Sequence, residues 1–152
     1  MASGTFTLFS KNKDDLRIND LVGATVKIAL VTSAWTPDTS VTGNSLWAEI
    51  SANEIAAGNG YTAGGVSLSA LVATAISGGY KFSSASPSWS ASGGNIPAWR
   101  YAVIYVSGTL WGMTNPVIGY FVGDNTPADI PATTSGNSLT INTPAGGWFD
   151  VV

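Results

Sequence analysis

Two glutamates five residues apart, Glu49 and Glu54, are the pair in this 152-residue chain best placed to supply an acid and a base. Carboxylate-only catalysis of the glycosidase kind needs two such groups flanking a sugar, about 5–9 Å apart. Other catalytic material is scarce, with no histidine, no cysteine and nine acids in all. Without imidazole there is no ready proton shuttle near neutral pH, and without sulfur or imidazole there is no soft-metal or thiolate site. Ser-His-Asp and Cys-His hydrolases and typical zinc centres are excluded. Five residues of separation fix no carboxyl geometry, and the ordinary alternative is structural. On that reading Glu49 pairs with a Lys or Arg, and Glu54 accepts hydrogen bonds from the glycine-rich stretch that follows it. The expectation is a non-enzymatic protein.

The aromatic residues offer binding rather than turnover. Tryptophans stand at positions 35, 47, 89, 99, 111 and 148. Indoles can stack on pyranose rings, and they can equally anchor a core or a subunit interface, where they bury large areas at low entropy cost. Core and interface are the expected roles for most of them. Trp35, Trp99 and Trp111 fall at or near the ends of expected strands, where a ring can reach a partner. They are the candidate subunit-contact residues, together with Arg100. An arginine placed just before an apolar strand pairs by default with a carboxylate, and a subunit contact is its next role. Asp124, Asp129 and Asp150 are too scattered for a calcium loop, which gathers its oxygen ligands within about a dozen residues. No metal is expected. No cofactor is expected either, because the glycines between Glu54 and Gly65 precede no Gly-Lys-Ser/Thr and open no G-x-G-x-x-G helix.

Composition bounds the setting. Only 10% of residues are charged, 45% are hydrophobic and eighteen are glycine. With a mean hydropathy of +0.23, much of the surface must be Ser, Thr, Asn, Gly and Ala, which suits a subunit partly covered by partners. A net charge of −3 opposes nucleic acid, whose binding surfaces cluster Lys and Arg. Lys11, Lys13 and Arg17 do cluster, but Asp14, Asp15 and Asp20 are interleaved with them, as on a solvated turn. No apolar run approaches the ~20 residues that span a bilayer. The opening Met1-Ala-Ser-Gly-Thr5 lacks a basic stretch followed by an apolar run of the secretory type. The expectations are one domain over residues 1–152, made in the cytoplasm, with neither nucleic acid nor membrane as partner.

The elements that must position these residues read as strands. Thr5–Phe9 alternates, with Phe6 and Leu8 on one face. Asn12–Asp20 is weakly helical, with Asn or Asp as its cap. Ala24–Thr32 is the clearest strand, with Val26, Ile28 and Leu30 on the core face. Trp35–Ser45 is a loop, and Leu46-Trp47 starts a new element. Glu54–Gly65 holds four glycines in twelve residues and is expected to be an ordered tight loop. Val66–Ile76 reads as one strand, with a helix from Ser69 as the alternative, leading to a Gly78-Gly79 turn, and Tyr80–Phe82 and Ser88–Ser90 read as short strands. Arg100–Val106, apolar on both faces, is expected to be central, with Val117–Val122 as its antiparallel partner. Leu139–Ile141 and Trp148–Val152 close the fold. The turn-prone stretch Gly123–Gly136 suggests a projecting loop or arm. Short strands at regular spacing, punctuated by Gly, Pro and Asn, indicate an all-β fold with at most one short helix. The architecture is an antiparallel β-sandwich or a β-barrel, jelly-roll-like.

Three segments together resemble a family of small tailed-bacteriophage virion proteins. They are Val26-Lys-Ile-Ala-Leu-Val-Thr-Ser-Ala-Trp-Thr-Pro-Asp38, then Ser51-Ala-Asn-Glu-Ile55 with Gly60-Tyr-Thr-Ala-Gly-Gly65, and Arg100-Tyr-Ala-Val-Ile-Tyr105 with Ile118-Gly-Tyr120. The resemblance covers roughly Val26 to Val122 and lies in fold pattern rather than chemistry. It implies a structural protein of the virion, with a capsid decoration or cement protein first. Such a protein would bind the major capsid protein or other virion subunits on the outer head shell, as a homo-oligomer, dimer or trimer. A tail, baseplate or fibre-associated protein is the second reading, and a free carbohydrate-binding module the third. The Gly112–Asn115 turn and the long Gly123–Gly136 stretch depart from the compact form that the resemblance implies.

Overall fold

A computed structural model describes residues 4–152, and the reading of the first three residues lies outside them. The three segments with the strongest β-branched character form the middle of the largest sheet. Strands β2 (Val26–Val31), β7 (Tyr101–Val106) and β10 (Val117–Val122) lie side by side. Strands β1 (Thr7–Leu8) and β3 (Val66–Ser67) form its edges, in the order β1-β10-β7-β2-β3. All its pairings are antiparallel, with Ile28 opposite Ile104 and Val103 opposite Tyr120. A bulge at Ile118 shifts the β7–β10 register.

Period-two alternation explains why this sheet is buried on both faces. Val26, Ile28, Leu30, Ala102, Ile104 and Val106 point into the larger core, which also takes in Phe82, Trp89, Trp99, Phe121, Trp148 and Phe149. Ala29, Val31, Val103, Tyr105 and Val117 point into a second core closed by Phe9, Trp35, Trp47 and Ile50.

A second, three-stranded sheet consists of β4 (Val72–Ile76), β5 (Gly79–Ser83) and β12 (Phe149–Val151), in the order β12-β5-β4. Strands β6 (Ser88–Ser90) and β11 (Ser138–Thr140) make a two-stranded ribbon, and β8 (Thr109–Leu110) with β9 (Met113–Thr114) a small hairpin. The architecture is all-β, a set of open antiparallel sheets of sandwich-like character with no barrel closure.

Three expectations are corrected. Val66–Ile76 is not one strand, because Ala70 takes a left-handed backbone (φ 51°). The chain turns there and passes from the first sheet into the second. Residues 123–136 do not project. Ile130 exchanges backbone hydrogen bonds with Trp99, and Thr133 with Ile96, so the segment lies along residues 96–99. The single α-helix among the described residues, α1, covers Ile18–Val22, later than the weak signal, and its cap Arg17 makes no side-chain cap bond. Asn12 is no helix cap. It is buried and donates to the carbonyls of Ser45 and Val117, each at 2.8 Å.

Candidate functional site

Neither glutamate is a free carboxylate. Glu49 closes its own short 3-10 turn, where its Oε2 accepts the backbone N–H groups of Ser45 (2.6 Å) and Leu46 (2.8 Å). The expected pairing with Lys or Arg gives way to this cap, since neighbouring backbone amides are closer than any cation. Burial pushes the Glu49 carboxyl up, but those amides, helped by the charge of Lys11, outweigh it and hold it below its ordinary value.

Glu54 does accept from the glycine loop. Its Oε1 takes the Gly64 N–H and the Tyr61 hydroxyl, both at 2.7 Å. The Tyr61 oxygen in turn accepts the Leu30 N–H at 2.9 Å, and the Tyr105 hydroxyl donates to the Gly64 carbonyl at 2.8 Å. Tyr105 is stacked on Trp47, with ring centroids 4.6 Å apart and planes within 8°. The loop is thus pinned to the large sheet by two phenols and a carboxylate.

Its local shape follows from Asn59 and Gly60, both at positive φ, which turn the chain so that Gly58 and Tyr61 exchange backbone hydrogen bonds. At Gly65 a Cβ would fall 1.9 Å from the Ile28 carbonyl oxygen, so only glycine lets the loop lie this close to β2. Burial, and then the Glu54 carboxylate, push the Tyr105 phenol up to about 12, and burial with the Glu54 hydrogen bond pushes Tyr61 further still. These groups form a structural lock.

The four candidate contact residues lie in three different places. Trp35 is buried in the second core, edge-on to Tyr101 and Tyr120. Trp99 is buried as well, with its ring lying over Gly123. Both indoles are therefore internal in the isolated chain. Arg100 sits beside Trp99 and donates through Nε to Asp129 at 2.8 Å, which staples the 123–136 segment to the start of β7.

Trp111 is the one of the three tryptophans among them that is partly exposed. It is half-buried at the tip of the β8–β9 hairpin, where it and Gly112 both have positive φ (53° and 74°). A bulky residue in that region costs about 1–2 kcal/mol. Its Nε1 donates to Asp20 Oδ2 at 2.9 Å, tying the hairpin to α1.

Two half-open grooves accompany these residues. One, of about 340 Å³, is lined by Phe6, Trp99, Phe121 and Trp148, with Thr140 and Asn142 among its polar residues. The other, of about 420 Å³, lies between Leu16–Asn19 and the second sheet at Ala73, Tyr80 and Val151. Neither Glu49 nor Glu54 lines either groove. No group of three or more Asp or Glu side chains among the described residues could hold a metal ion. Among them, too, no helix is long and apolar enough to cross a membrane.

The most distinctive surface is one that the sequence reading did not single out. Val72, Tyr80, Val151 and Val152 are 45, 55, 40 and 83% exposed, and among the described residues only Val41 joins them as an exposed large hydrophobic. Three of the four lie in the β12-β5-β4 sheet and the fourth follows it directly; Tyr80 faces Val151 across the β5–β12 pair, while Val72, opposite Ser83, lies on the other face of the sheet. The available signal was the alternation of Tyr80 with Phe82 and of Phe149 with Val151. Each pair shares a face, and one member of each is buried while the other runs past the core.

In comparison with known proteins, no family model matches the chain, and neither a curated protein nor a solved structure matches it.

Proposed function

We propose that this chain is a non-enzymatic structural subunit of a multi-copy assembly. In line with its sequence resemblance, the assembly we propose is the virion of a tailed bacteriophage, with the chain decorating and stabilising the outer head shell. The observation that carries the assembly reading is the exposed apolar surface of the second sheet: a patch of Tyr80 and Val151 on one face, with Val72 exposed on the other and Val152 just beyond, where among the described residues Val41 alone is a further exposed large hydrophobic. Such patches mark interaction surfaces in soluble proteins. The two glutamates that could have done acid–base work are held by backbone amides and a tyrosine, which favours a structural role for both. Lattice binding strengthens by summation, because each copy that bridges neighbouring subunits makes its second contact at high effective concentration.

The test is cryo-electron microscopy of particles assembled with and without the protein. Density lost from the head shell supports decoration. Loss at the tail tip moves the role to adsorption, and an unchanged particle rejects a virion role. The second reading is glycan binding, which the groove beside Trp99 and Trp148 does not favour because both rings are 4% exposed; quenching of tryptophan fluorescence by oligosaccharides tests it.

A further inference from the structure

Strand β4 is the longest free edge among the described strands. The other sheet edges, β1, β3, β6, β8, β9, β11 and β12, have two or three residues each, whereas β4 has five and pairs only with β5. Proteins normally protect a long edge with a charge, a proline or a bulge. The β4 sequence, Val72-Ala-Thr-Ala-Ile76, has no charge and no proline, and its register with β5 is unbroken. Val72, Thr74 and Ala75 are exposed.

The same sequence reads nearly alike in both directions about Thr74. If two copies ran antiparallel through a two-fold axis at Thr74, Val72 would face Ile76 of the second copy, Ala73 would face Ala75, and Thr74 would face Thr74. Each row then matches branched with branched or small with small, the self-complementarity that an isologous interface requires.

The backbone agrees with this register. β4 and β5 are joined by the two-residue turn Ser77-Gly78, with Ile76 opposite Gly79. Alternation along an antiparallel ladder directs the amides and carbonyls of Val72, Thr74 and Ile76 toward β5, and those of Ala73 and Ala75 outward. Pairing Ala73 with Ala75 of a second copy, twice over, uses these outward groups in about four new hydrogen bonds.

Charge permits the same arrangement. Lys81, opposite Thr74 on β5, would sit three strand spacings from its symmetry mate, about 14 Å. That exceeds the ~8 Å screening length at physiological salt. At the other edge of this sheet, β12 would bring Asp150 toward its own copy.

We propose that β4 is a homodimer edge: two copies join through an antiparallel β4–β4 pairing centred on Thr74, fusing their three-stranded sheets into one of six strands. This deepens the assembly role proposed above and rests on it. Its test uses purified chain in solution, so its failure leaves the particle experiment standing.

Sedimentation velocity from about 1 to 100 µM should show a monomer–dimer equilibrium. Thr74→Lys sets like charges opposite each other on the axis and should weaken the dimer at least about tenfold. Its circular dichroism should match that of the parent monomer, with only a small drop in melting temperature, because position 74 also faces Lys81 on β5. Thr74→Cys is the second arm, and it is clean because the chain has no cysteine of its own. A non-hydrogen-bonded pair places two Cβ atoms about 4.5–5.5 Å apart, close enough to bridge with a small adjustment. Mild oxidation should therefore give a covalent dimer, while Ser138→Cys on β11 should stay monomeric. A chain that sediments as a monomer throughout overturns the proposal. So does a dimer that survives Thr74→Lys, or one whose Thr74→Cys form fails to cross-link.

Discussion

The five-stranded sheet and the three-stranded sheet are built from similar residues and treated oppositely by the fold. In the first, β7 and β2 are covered on both faces and the edges are reduced to two-residue strands. In the second, Phe82 and Phe149 are buried, while Tyr80 and Val151 on the same face are left in solvent beside an uncovered five-residue edge. The difference teaches that apolar content alone does not mark the core. What separates the two is whether a second layer lies over the residue, and for Tyr80 and Val151 the chain supplies none that covers them.

Three measurements break or sharpen this contrast. The largest effect is expected from a paired truncation. Ile28→Ala, at a fully buried position of β2, should cost about 2–5 kcal/mol in urea unfolding. Val72→Ala on the open sheet should change monomer stability by no more than about 0.5 kcal/mol. Similar losses for both would erase the distinction.

Next in size is the phenol lock that holds the glycine loop to the buried sheet. Tyr61→Phe removes the hydroxyl that serves both Leu30 and Glu54, at a cost of about 1–3 kcal/mol near neutral pH. Tyr105 and Tyr61 have their folded values raised above the ordinary phenol value of 10. Their neutral forms therefore contribute fully below pH 10, and the contribution is lost as pH climbs from 10 through 12, because the unfolded chain releases these protons first. Melting temperature should hold steady to about pH 9.5, drop above 10, and drop less steeply in Tyr61→Phe. A flat profile to pH 12 would contradict the lock.

The smallest effect belongs to the partly exposed Arg100–Asp129 pair. Arg100→Gln or Asp129→Asn should each cost no more than about 1 kcal/mol, measured in the same urea series. A larger loss would mean that the staple on residues 123–136 carries more of the fold than its exposure implies.

Much of the buried sheet was legible in the sequence. Val26–Val31, Tyr101–Val106 and Val117–Val122 announce themselves because two apolar faces and β-branched side chains leave a covered strand as the only consistent reading. The Glu54 contact with its glycine loop was legible for a local reason, since a carboxylate ten residues before Gly64 is within reach of a tight turn. What escaped was decided by tertiary placement. Nothing about Ala70 signals a positive φ, so the break between β3 and β4 stayed hidden. Glu49 stands three residues after Leu46, which is half of a capping signal, but Leu supplies no side-chain oxygen for the other half. Trp35 and Trp99 sit near strand ends, yet other parts of the chain fold over both. The exposed patch was missed because Tyr80 and Val151 share an alternation with Phe82 and Phe149, and alternation does not say where a core stops.

The place of β1 at the edge of the large sheet, with Thr7 opposite Tyr120 of β10, is also a matter of time. Ribosomes add roughly 5–20 residues per second, so β1 waits on the order of ten seconds for the strand it needs. The β4–β5 segment, with its uncharged edge strand, emerges during that wait while β12, the last strand of its sheet, is still unmade. If β4 pairs as proposed, synthesis rate and chaperone supply would bear on yield, because two nascent chains on the same message would meet through that edge before either has a finished core.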